Sequence, residues 1–116
     1  MSFDNLDLHQ EMYESFKRAE ELLEEMKEQG IALAKAERDY SIACRKATIY
    51  ERDRGTAATL VDKLVKGRED IANLRFEVAC AEALYKAAYE GSILAKKKAD
   101  ILEKMIEREW ANEVRR

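Results

Sequence analysis

Two thiols, one imidazole and a dense row of carboxylates are the side chains here that could carry chemistry. Zinc needs thiolates and imidazoles gathered at short spacing. Cys44 and Cys80 stand apart, and His9 is the one histidine. A carboxylate di-iron site inside a bundle needs a Glu-x-x-His pair on each of two helices, and no such pair exists. Glu21, Glu24, Glu25 and Glu28 share a region on which a cation would bind weakly; such a row is ordinarily a solvated helix face. Nucleophilic catalysis requires a base beside the nucleophile, and neither cysteine has one nearby in sequence. Gly55 and Gly67 are too isolated to form a phosphate-cradling loop. These residues predict no enzyme activity, no cofactor and no metal, with both cysteines as reduced, buried fillers.

Phosphate recognition asks for dense positive charge on one surface. Lys96, Lys97 and Lys98 form the strongest basic face. Arg45, Lys46, Arg52, Arg54, Lys63, Lys66, Arg68 and Arg75 add a second concentration, with Tyr50 and Phe76 able to stack. Asp53, Asp62, Glu69, Asp70 and Glu77 interleave with them, so nucleic acid is an alternative partner and not the favoured one. Tyr40, Tyr85 and Tyr89 fall at packing spacings, and core or interface packing is the ordinary reading of them.

The elements that carry these residues are long helices. Ile71, Leu74, Val78, Ala81, Tyr85, Ala88, Ser92, Ala95, Ala99, Leu102 and Ile106 recur at steps of three and four, which keeps one seam of a helix facing a partner. No proline interrupts the chain. A matching stripe runs Met12, Phe16, Ala19, Leu23, Met26, Gly30, Leu33, Glu37, Tyr40, Cys44, Ala47, with Glu37 as its one charged intruder. The pattern predicts a long helix over about 7–52, capped by Asp4, Asn5 or Asp7 and ended by Gly55. A connector helix over about 57–66 follows, with Thr56 as its N-cap and Gly67 as its stop. A second long helix spans about 68–112, and Arg115 and Arg116 fray. Each long helix would extend about 70 Å. Equal helices joined by a short connector imply an antiparallel hairpin: a single all-α, coiled-coil-like domain over 1–116. Pairing Arg52 with Arg68 makes opposed positions sum to about 120. That rule sets Gly30 against Gly91, Cys44 near the level of Cys80, and Phe16 near Met105.

A two-helix hairpin buries little surface and is marginal alone. Residues 78–89 are apolar over more than one seam, which calls for cover from a second side. Val78, Ala81, Leu84, Tyr85, Ala88 and Tyr89 are therefore the predicted interface of a homo-oligomer, a dimer or larger helical bundle. On the connector, Leu60, Val61, Leu64 and Val65 either cap the open end of the hairpin or form a protein-binding tip.

The net charge of −3 names no partner, but its distribution is informative. Residues 1–30 carry nine acids and three bases, and residues 94–116 carry five acids and seven bases. Both ends complement the helix dipole, and they would attract each other side by side. Met1–Gln10 has no apolar stretch, and no run is long enough to span a membrane. The expectation is a cytoplasmic chain without a membrane partner.

Two strings carry a resemblance. One is Leu22-Leu23-Glu24-Glu25-Met26-Lys27-Glu28-Gln29-Gly30, followed by residues 34–40 from Ala34 to Tyr40. The other is Arg54-Gly55-Thr56-Ala57-Ala58-Thr59-Leu60-Val61, followed by Gly67 and by residues 81–88. Over about 20–110 the chain resembles small helical proteins encoded by phages and prophages of Gram-positive bacteria. That group has no assigned activity, so no functional residues carry over. The resemblance implies a phage accessory product in the bacterial cytoplasm that acts by binding. Its first form is a protein binder, including counter-defence by blocking a host immune nuclease or sequestering its nucleotide signal. The alternatives are a nucleic-acid-binding factor of phage replication or recombination, and a structural coiled-coil spacer.

Overall fold

The computed structural model describes residues 5–115. The chain is an all-α helical hairpin. Helix α1 spans Asn5–Asp53, α2 spans Ala58–Lys66, and α3 spans Glu69–Arg115; there is no strand among the described residues. The predicted ends agree within a few residues. Of the cap candidates, Asp4 lies outside the described residues, and Asp7 sits inside the first turn of α1, where a carboxylate favours the dipole. Helix α3 persists through Arg115, past the expected fraying point at Asn112; Arg116 lies outside the described residues.

The backbone divides into two compact units. One is the continuous stretch Glu28–Tyr85; the other combines the residues up to Lys27 with those from Lys86 onward. In the continuous unit, Ala47, Val61, Val65 and Ile71 form the core, and Tyr40, Ala43 and Cys44 pack against it. Ile71 is fully buried. In the other unit, Leu8, Ala19, Leu22, Ala88, Ala99 and Leu102 are buried, together with the hydroxyl-bearing Ser15 and Ser92.

Every one of the eleven predicted seam positions of α3 is buried or half-buried. The α1 stripe needs three corrections. Phe16 is 41% exposed and Ser15 takes its place in the seam. Leu22, not Leu23, is the more deeply buried of that pair. Glu37 is exposed while its neighbour Ala36 faces inward, so Glu37 does not enter the seam. The seam is lined by small residues, so the helices approach closely, and a bulky Phe16 is displaced to the edge.

The register also differs from expectation. Gly30 faces the Tyr85 ring, and Gly91 faces Leu22, so facing numbers sum to 115 and 113. Gly30 therefore does not sit against Gly91. At the Gly30–Tyr85 register, Glu69 falls level with Lys46, and the last turns of α1 extend beyond the start of α3. The apolar face of α2 folds back onto those turns, which is why Ala47 shares a core with Val61 and Val65. A connector with a helix of its own needs that ledge; equal helix ends would leave it nothing to cover. The shift also separates the cysteines. Cys44 is half-buried beside the core, while Cys80 is exposed and is not the buried filler expected of it. Phe16 and Met105, likewise, are exposed edge residues and not a facing pair.

Candidate functional site

The tip is assembled by local backbone chemistry. Gly55 adopts φ +82°, the left-handed conformation that ends α1 at little cost for a residue without Cβ. Its N–H donates to the Arg52 carbonyl, and the Thr56 N–H donates to the Glu51 carbonyl. Thr56 is not the N-cap of α2; that position is Ala57, which makes no side-chain capping bond. The Thr56 hydroxyl instead donates to the Glu51 carboxylate at 2.8 Å. Glu51 is 7% exposed, so this bond satisfies an acid that would otherwise be buried without a donor. Arg54 stands 4.0 Å from the same carboxylate and lies over the Tyr50 ring at 5.4 Å. Gly67 ends α2 with its N–H on the Lys63 carbonyl.

This frame divides the four predicted tip residues. Val61 and Val65 are buried and anchor α2 to the body. Leu60 and Leu64 are half exposed, at 50% and 48%, one turn apart on the outer side. Val61 and Val65 thus cover the end of the hairpin, while Leu60 and Leu64 leave half of their surface in water.

Within the chain, the six residues predicted for an oligomer interface differ in burial. Ala88 is buried within the chain, and Val78, Ala81 and Tyr85 are half-buried in the hairpin's own seam. These four take part in intramolecular packing. Only Leu84 and Tyr89 of the six remain exposed.

Around the tip, Arg54, Lys66 and Arg68 are matched by acids, whereas Arg45, Lys46, Arg52, Lys63 and Arg75 have no ion pair among the described residues. Arg68 makes two bonds to Asp70, at 3.0 and 2.9 Å, and Lys66 pairs with Asp62 at 3.2 Å. The Asp70 carboxyl is held below the usual carboxylate range by the Arg68 hydrogen bond, aided by the Ile71 N–H; burial opposes the shift. Arg68 is raised correspondingly, first by its hydrogen bond to Asp70. Lys96, Lys97 and Lys98 are all exposed. His9 is exposed as well, and no cluster of three metal-ligating side chains occurs among the described residues.

The feature that sequence reasoning missed is a groove in the unit built from the two chain ends. It encloses about 710 Å³. Glu11, Glu14, Ser15, Arg18, Leu22 and Glu25 line it from α1, and Ala88, Gly91, Leu94 and Lys98 from α3. The available signal was the spacing of Ala87, Gly91, Leu94 and Lys98, a second row beside the main seam that ends on one of the three lysines. No helix among the described residues is long and apolar enough to cross a membrane. No family model, curated protein or solved structure matches the chain.

Proposed function

We propose that this chain is a non-enzymatic binding protein that captures a protein partner through the α2 tip and that works as a self-associated hairpin. The observation that carries the reading is the division of labour on α2. Val61 and Val65 anchor it, so Leu60 and Leu64 are presented on a fixed frame with little ordering entropy left to lose on binding. Adjacent leucines on one helical turn match the anchor residues of helix-mediated recognition.

The resemblance to helical phage proteins supplies the setting: an accessory product in the cytoplasm of a bacterial host. Counter-defence is the sharpest form of that setting, with the tip blocking a host immune nuclease; sequestering a nucleotide signal is a second form. Nucleic-acid binding is the competing reading, and the exposed Lys96–Lys98 run favours it. Pairing of Arg54, Lys66 and Arg68 with Glu51, Asp62 and Asp70 weighs against it at the tip. A purely structural spacer is the third.

One comparison separates them. A partner retained from host lysate by the native chain and lost by Leu60→Asp with Leu64→Asp, at unchanged helicity, supports tip recognition. Retention by that variant removes the tip from the account. Affinity for DNA or RNA that falls steeply with salt, and falls again on Lys96–Lys98 neutralisation, would transfer the function to the basic face.

A further inference from the structure

We propose that the groove of the chain-end unit is closed by a second copy of this chain, docked antiparallel about a two-fold axis near Leu94. The proposal rests on the self-association part of the functional reading and names its surface. A two-fold contact sets the same patch against itself, so the patch must be self-complementary in shape and in charge.

The shape condition is met by small residues beside one large exposed side chain. Leu94 is 66% exposed, and Gly91 and Ala88 lie beside it in the groove. With the axis at Leu94, the leucine meets its own counterpart, and each α3 lies over the other's groove. Burying that pair removes the largest apolar side chain that the groove leaves in water.

The charge condition is met by unpaired groups of both signs. Among the described residues, Glu25 and Lys98 have no ion-pair partner within their own chain. Lys98 lies four residues after Leu94, so about the axis it falls level with Glu90 of the other copy. The Leu22–Gly91 register sets that level beside Leu23, half a turn from Glu25. Lys98 of each copy thus reaches Glu25 of the other, and the pair forms twice. Ser15 adds an independent sign of an absent occupant. It is 6% exposed and lines the groove, and its hydroxyl has no hydrogen-bond partner among the described residues. A polar group so placed ordinarily has one.

Sedimentation equilibrium with circular dichroism tests this. The native chain is expected to be a dimer, and Leu94→Asp to raise its dissociation constant at least tenfold at unchanged helicity. Lys98→Glu and Glu25→Lys should each weaken the dimer alone. An equimolar mixture of those two variants should restore it, because each heterodimer regains two opposite-charge contacts. A native monomer would overturn both the groove and the self-association reading. A dimer indifferent to Leu94→Asp would overturn the groove alone. Single variants that weaken association without rescue on mixing would show that the charges act within one chain, and would overturn the two-fold pairing.

Discussion

Gly91 of α3 lies directly beneath Leu22 of α1: a Cβ at residue 91 would stand 3.3 Å from Leu22 Cδ1. Gly30 is looser, with its virtual Cβ at 3.5 Å from the Tyr85 ring. A glycine inside a helix costs about 1 kcal/mol relative to alanine. Gly30→Ala should therefore stabilise the chain by about 0.5–1 kcal/mol. Gly91→Ala should gain less, about 0–0.5 kcal/mol, because Leu22 must swing toward the groove to make room. Urea midpoints at one protein concentration measure both. A larger gain at residue 91 than at residue 30 would contradict the tight contact with Leu22.

Gly55 offers the opposite case. Nothing lies within 4 Å of its virtual Cβ, but its φ of +82° belongs to the left-handed region. Gly55→Ala is expected to destabilise by about 1–2 kcal/mol, from backbone strain without any clash. Gly55→Asn should recover part of the loss, since asparagine tolerates that conformation better.

Asp70 makes stability depend on pH. Its carboxyl titrates lower in the folded chain than in the unfolded one, because the ionised form accepts from Arg68 and from the Ile71 N–H. The unfolded chain then binds more protons through the acid range, so this contribution is complete above the unfolded carboxylate pKa of about 4 and is lost as pH falls through the lower folded value. Asp70→Asn should lower stability at pH 7 and flatten the acid limb of the curve. An acid limb identical to that of the native chain would remove Asp70 as its source.

The α2 core gives a contrast between neighbours. Ile71 is fully buried against Ala47, Val61 and Val65. Ile71→Ala is expected to cost about 2–5 kcal/mol. Leu60→Asp and Leu64→Asp should each stay within about 0.5 kcal/mol of the native chain, since their side chains are half in water. Thermal melts at a fixed pH settle the comparison.

The sequence made α3 legible because its seam is unbroken: stepping by three and four from Ile71 meets only apolar or small residues. On α1 two stripes run side by side, Ser15 with Leu22 and Phe16 with Leu23. Periodicity alone led to Phe16 and Leu23, since the distance between backbones, set by the opposite helix, decides which stripe fits. The register error has a different origin. Matching Arg52 to Arg68 assumed equal helix ends, and only the folded α2 shows that α1 must run on to support it. The tip was half legible for a geometric reason. Residues 60, 61, 64 and 65 share one broad face of α2, and only the side that carries 61 and 65 meets the α1 ledge. Of the groove only the α3 row of Ala87, Gly91, Leu94 and Lys98 was legible, because its walls come from two segments far apart in the chain.

The division into one unbroken unit and one built from two separated stretches sets an order of events. The stretch from Glu28 to Tyr85 can find its contacts by closing short loops around the α2 connector. The chain ends can meet only by looping out that whole stretch, unless it has already folded. Assembly should therefore start at the connector and zip toward the termini. Amide hydrogens near Ile71 should be the last to exchange and those near Leu8 among the first, since an opening that starts at the ends leaves the connector core intact.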